Sequence, residues 1–146
     1  MIKITRRKRK KVIDNIIESE SGLLDERVWH FALQGYRTEL VCAIRQELIK
    51  RIPDLKEKFN PYMRYFGYWR GTDKDRAYIY VQKKNLLLDV CIDPAYITDL
   101  RNQGFRVEPR ENFQGTNNWL TGWKIPQDSK NVEQIVPWIC KAFQQS

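Results

Sequence analysis

Between Arg76 and Pro94 the chain reads RAYIYVQ, then KKN, then LLLDVCIDP. Two apolar, β-branched and aromatic runs around a short polar tripeptide predict a β-hairpin. At a period of two, Leu86, Leu88, Val90 and Ile92 share one face, and Leu87, Asp89 and Cys91 the other. The first run sends Ile79 and Val81 to one side and Tyr78, Tyr80 and Gln82 to the other. One face is core; the second is aromatic and mixed.

Upstream, Val12, Ile13, Ile16 and Ile17 recur at helical spacing and predict a short amphipathic helix ending at Ser19 to Gly22. Asp25 is placed to cap a helix through Leu33, with Trp29, Ala32 and Leu33 for burial and Gly35 as its stop. From Tyr36 to Ile52 the stripe Leu40, Val41, Ile44, Leu48 and Ile52 predicts a helix closed by Pro53, with Glu47 and Arg51 as an i,i+4 pair. Asp54 to Phe59 reads as one further turn, Tyr62 to Arg70 as a strand, and Gly71 to Asp75 as its turn into the hairpin. Asp93-Pro94 predicts a capped helix running to Gly104. Glu108 to Asn118 is an irregular loop of functional length. Trp119 to Ile125 is a strand whose Trp119, Thr121, Trp123 and Ile125 share a face, with Gly122 marking a bulge or close approach. Ser129 to Gln144 is a last helix burying Val132, Ile135, Ile139 and Phe143, kinked at Pro137. The expected fold is α+β: an antiparallel sheet, a three-strand meander plus a fourth strand, with helices packed on one face and a basic N-terminal arm. Residues 1–22 form the arm and short helix, and 23–146 a single domain.

Composition adds little to that fold but redirects the search for function. The 146 residues suffice for one core, and 42% hydrophobic content is globular. No apolar run reaches the ~20 residues needed to span a bilayer, and the basic start has no signal-peptide core, so a cytoplasmic protein is expected. Cys42, Cys91 and Cys140 lie far apart inside apolar runs and read as buried thiols of a reducing compartment. The net charge is +8, from 26 Lys and Arg against 18 Asp and Glu. Arg6 to Lys11 (RRKRKK) holds six of those cations, and removing them leaves 20 against 18. The basicity therefore belongs to the arm.

The run YIYVQKKNLLLDVCIDP, then Leu100, Val107 and Pro109, then NWLTGWKIP and a closing helix with KAF, resembles the MmcQ/YjbR-like family. It is also similar to a small domain of unknown function appended to some prokaryotic nucleases. The resemblance covers residues 62–146. It implies a double-wing fold with DNA binding as its function, and leaves the arm and the preceding helices outside.

The residues themselves suggest several chemistries. Arg6, Arg7, Lys8, Arg9, Lys10 and Lys11 are expected to contact nucleic-acid phosphates, DNA or RNA, with Arg37, Arg45 and Arg51 extending the surface. Tyr65, Trp69, Tyr78, Tyr80, Trp119 and Trp123 are candidates for an aromatic groove, set against the alternative that they are core. Asp73, Asp75, Asp89 and Lys83 are the carboxylates and lysine a metal-dependent nuclease would need, without the acid of an E-x-K signature. His30 and the three cysteines lack chelating spacing, so no metal and no cofactor is expected. The leading expectation is a small non-enzymatic nucleic-acid-binding module or accessory protein. A protein-interaction subunit of a larger complex, and a divergent metal-dependent nuclease, are the alternatives.

Overall fold

The computed structural model describes residues 2–9, 12–19 and 21–144, with side chains from Ile16 onward. In chain order the strands and helices are β1 Ile2–Arg9, β2 Val12–Ser19, α1 Glu26–Ala32, α2 Glu39–Arg51, β3 Leu55–Asn60, β4 Tyr65–Arg70, β5 Ala77–Val81, β6 Asn85–Val90, α3 Ile97–Asn102, β7 Glu108–Arg110, β8 Trp119–Pro126 and α4 Val132–Gln144. The fold is α+β. The eight strands form one antiparallel sheet of order β1-β2-β3-β4-β5-β6-β8-β7, larger than a meander plus one strand.

Two local expectations fail for one reason. Val12–Ser19 is a strand and not a helix, pairing along its length with β1 and at Ile17 and Glu18 with β3. Leu55–Asn60 is a strand and not a helical turn, lying between β2 and β4. Both segments are held by hydrogen-bonded ladders, β2 to β1 and β3 to β4 along their length and β2 to β3 at two positions, and this pairing outweighs local side-chain spacing. The strand expected from Tyr62 begins at Tyr65, and the loop expected from Glu108 begins with the short strand β7.

Capping proceeds as the sequence implies. Asp25 accepts the Arg27 N–H at 2.7 Å and Asp93 the Ala95 N–H at 2.9 Å, starting α1 and the 3-10 turn Pro94–Tyr96 that leads into α3. The helix α4 runs through Pro137.

The register sets two faces. Phe59, Phe66, Ile79, Leu88 and Trp123 stand in one row across the sheet, and Glu57, Tyr68, Ala77 and Val90 in the next. Helices cover this face: Trp29 of α1 stacks on Phe66 with centroids 4.2 Å apart, and Phe105, just after α3, meets Trp123 edge-on at 5.0 Å. Val41, Ile44, Leu48, Ile135 and Ile139 of α2 and α4 are fully buried. The other face carries Lys58, Gly67, Tyr78 and Asp89 in one row and Asn60, Tyr65, Tyr80, Leu87 and Lys124 in the next.

Candidate functional site

The register of β1 with β2 runs from Ile2 opposite Ser19 to Arg9 opposite Val12. Pairing of β2 with β3 involves only Ile17 with Phe59 and Glu18 with Lys58, and β3 ends at Asn60. The four pairs from Arg6 with Asn15 to Arg9 with Val12 therefore form a two-stranded ribbon beyond the end of β3. At ~3.4 Å per residue it extends about 14 Å. Arg6, Arg7, Lys8 and Arg9 belong to this ribbon, and Lys10 and Lys11, which lie between its strands in sequence, are outside the described residues.

The three arginines of the α2 region each face a carboxylate. Glu57 is fully buried and accepts Arg45 Nε at 2.8 Å, Arg45 Nη2 at 2.8 Å, the Leu24 N–H at 3.0 Å and the Tyr68 hydroxyl at 2.6 Å. Arg45 also donates to the Leu24 carbonyl at 3.0 Å and lies 4.6 Å over the Trp29 ring. Burial works against its charge, and Glu57 more than offsets that, holding the guanidinium above its ordinary range. Burial, then Glu57, pushes the Tyr68 phenol well up, so it stays a neutral donor. Arg51 bridges Glu47 and Glu133 at 3.0 Å each, tying α2 to α4, and Arg37 lies 3.7 Å from Glu39.

The aromatic candidates divide between the faces. Tyr65, Tyr78, Tyr80 and Trp119 gather on the face without helices. Tyr78 stacks on Trp119 at 5.6 Å, and Tyr65 lies 5.0 Å from Tyr78 and 5.3 Å from Tyr80. Trp123 does not join them, which corrects the expectation that Trp119 and Trp123 share a face. The β6–β8 register shifts between Leu88 and Val90, and Gly122, at φ +70°, takes up the extra residue while its N–H donates to Asp89 Oδ1 at 3.2 Å. That bulge reverses the alternation on either side of it.

The loop from Glu111 to Asn118 closes over this cluster. Phe113 meets Trp119 edge-on at 4.9 Å, and Gln114 Nε2 donates to the Tyr78 hydroxyl at 3.0 Å. Tyr78 and Trp119 are buried as a result, while Tyr80 and Trp69 are half-buried. Tyr78 is thus covered by this loop and not by the amino-terminal helices. Beneath them Asp75 Oδ2 accepts both Lys58 Nζ at 2.7 Å and the Tyr78 hydroxyl at 2.5 Å, and Lys58 lies 5.4 Å from the centre of the Trp69 ring. Burial, then Asp75, drives the Tyr78 phenol far up, and burial, then Asp89, pushes Tyr80 up to about 12. The Asp89 carboxyl is raised by burial, with the Gly122 N–H and Arg110 pulling it down.

Beside the loop lies a polar cleft of about 430 Å³, lined by Asp73, Lys74, Arg76, Cys91, Gln114 and Trp119 among others. Asp73 and Asp75 precede β5, Asp89 lies on β6 opposite Tyr78, and Lys83 follows β5 at its far end, so the lysine is separated from the first two carboxylates by the length of that strand. Among the described residues no three His, Cys, Asp or Glu side chains gather as a metal site, and no helix is long and apolar enough to cross a membrane.

Sequence reasoning missed Lys58, Asp75 and Gln114 as the polar support of the tyrosines. Gly67 was the available signal: a Cβ there would stand 2.8 Å from Lys58 Cε, so the glycine makes room for the lysine stem. It also passed over Phe31, Tyr62 and Met63, which are exposed.

Comparison with protein-family models, with curated proteins and with solved structures finds no match to this chain.

Proposed function

We propose that this protein is a small non-enzymatic nucleic-acid-binding accessory module of the cytoplasm, attached electrostatically through the β1–β2 ribbon. The observation that carries this reading is the ribbon's register, which gathers Arg6 to Arg9 on a two-stranded projection beyond the body of the sheet. Each phosphate neutralised by a Lys or Arg releases a condensed counterion, a gain that needs no base contact and weakens as salt rises. A two-stranded ribbon is also among the few backbone shapes that a duplex groove admits. Concentrating the charge there leaves the body nearly neutral, which suits a domain that holds a polyanion at one end.

Two further features support the reading. Arg45, Arg51 and Arg37 are matched by Glu57, Glu47, Glu133 and Glu39, so the positive charge left for a partner is weighted toward the ribbon. The three cysteines are free thiols, as a reducing compartment would have them, although only Cys91 is buried as expected and Cys42 and Cys140 are half-buried.

The test is fluorescence anisotropy of labelled 20-nucleotide DNA and RNA probes, single-stranded and duplex, titrated with the protein and with a variant carrying Gln at positions 6 to 11. The proposal expects binding by the wild type and at least a tenfold loss in the variant, with the two melting alike. Equal binding by both, or binding by neither, would overturn it.

A further inference from the structure

At the end of the sheet from which the ribbon emerges, three large apolar side chains stand in solvent: Phe31 and Tyr62, each 67% exposed, and Met63 at 44%. Tyr62 and Met63 form the tip of the β3–β4 turn, where their N–H groups donate to Asn60 Oδ1 at 3.0 and 2.9 Å. Arg64, held at φ +56°, reaches from that turn to the Ala32 carbonyl at 2.6 Å and so fixes it to the end of α1, where Phe31 sits. Because β2 is antiparallel to β3, the part of the ribbon beyond Ile17 runs past this same turn.

The cations converge here too. The Arg64 carbonyl accepts the Val81 N–H at 3.0 Å, which brings the β5–β6 loop with Lys83 and Lys84 alongside. Lys83 Nζ donates to the Gly35 carbonyl at 2.6 Å, and both Lys83 and Arg64 lie over the Tyr36 ring, at 4.3 and 3.9 Å. Lys124 follows on β8, opposite Leu87. Among the described residues, none of Arg64, Lys83, Lys84 and Lys124 pairs with a carboxylate. Asp14 and Asp128 are the acids on these segments.

One exposed aromatic is ordinary, but three apolar side chains set among cations that no described carboxylate pairs are the composition of a surface that meets a polyanion with apolar faces. Single-stranded nucleic acid is that ligand. Its phosphates suit the ribbon and the lysines, and its unpaired bases offer π-faces for Phe31 and Tyr62 to stack on. In a duplex those faces are already stacked on one another. We infer that this end of the sheet is a single-strand binding surface, with Tyr62 and Phe31 as base-stacking platforms, Met63 as an apolar contact, and the ribbon with Lys83 and Lys84 following the backbone. The inference rests on the reading of the ribbon as a nucleic-acid contact and adds the form of nucleic acid it takes.

The experiment measures anisotropy of a fluorescein-labelled 20-nucleotide oligo-dT and of a 20-base-pair duplex with five proteins: wild type, Phe31→Ala/Tyr62→Ala, Tyr62→Ala, Tyr62→Phe, and the variant with Gln at 6 to 11. Each base–aromatic stack lost should weaken oligo-dT binding about tenfold. The double variant is thus expected to lose roughly a hundredfold on oligo-dT and less than twofold on the duplex, with an unchanged salt slope, while Tyr62→Phe binds as wild type. The exposure of both side chains leaves folding intact, which thermal melts verify. Wild-type oligo-dT affinity in the double variant, or an equal loss on oligo-dT and duplex, overturns this inference; if the Gln variant still loses binding to both probes, the ribbon reading stands alone. If wild type binds neither probe, both readings fall.

Discussion

Replacing Arg45 with Met would leave the Glu57 carboxylate at zero exposure with two of its four donors, the Leu24 N–H and the Tyr68 hydroxyl. It would remove two hydrogen bonds of 2.8 Å and the one positive charge that balances the buried negative one. Methionine keeps much of the volume of the arginine stem, so packing is nearly conserved and the loss is electrostatic. Breaking a buried pair on one side costs about 3–5 kcal/mol, because the remaining charge is stranded. For a domain of this size that is a fall in Tm of roughly 6–20 °C, measured by circular dichroism at neutral pH, with the urea midpoint moving in step. Arg45→Met combined with Glu57→Gln should recover part of the loss: the amide oxygen still accepts from the Leu24 N–H, the amide nitrogen can donate to the Tyr68 hydroxyl oxygen, and no charge is left behind. A single variant within about 1 kcal/mol of wild type, or a double variant that loses the sum of both changes, would refute the account of this cluster.

Three further outcomes follow from particular contacts. Gly67→Ala puts a Cβ 2.8 Å from Lys58 Cε and 3.2 Å from its Cγ, so the lysine stem must shift and its bond to Asp75 is strained; a loss of about 1–3 kcal/mol in urea unfolding is expected, and a neutral change would mean that the stem yields freely. Tyr80, pushed up by burial and then by Asp89, should ionise near about 12 in a spectrophotometric titration at 295 nm. Its raised value favours the protonated folded state, so its contribution to stability is whole below the ordinary tyrosine value and is lost as pH rises from there through about 12. Ionisation of Tyr80 at the ordinary value would contradict its burial. Arg51→Ala breaks solvent-accessible pairs with Glu47 and Glu133 and should leave the thermal melt nearly unchanged; a clear loss would mean that this link between α2 and α4 is stronger than surface ion pairs are.

Where conformation is decided by near neighbours, the sequence was readable. The hairpin of β5 and β6, the apolar stripe of α2 and the caps Asp25 and Asp93 all depend on residues within one turn or one strand. Val12 to Ser19 was not readable, because Val12, Ile13, Ile16 and Ile17 satisfy a helical period as well as a strand whose partners are β1 and a segment some forty residues away. Leu55 to Asn60 hid for a sharper reason. Glu57 and Lys58 look like surface charges and are core, since Arg45 and Asp75, which neutralise them, come from other parts of the chain. At the aromatic face the composition was legible and its partition was not. Alternation counted through Gly122 puts Trp119 beside Trp123, and the bulge separates them. The basic run was plain from residue types alone, while its setting on a projecting ribbon depended on the β1–β2 register.

The central claim, that Arg6 to Lys11 hold nucleic acid by neutralising its phosphates, is tested most directly by the slope of log Kobs against log salt concentration for oligo-dT binding. A single strand contributes about −0.7 per neutralised phosphate, so wild type should be steeper than the variant with Gln at positions 6 to 11 by about 4 if all six cations engage. Parallel slopes for the two proteins would contradict it.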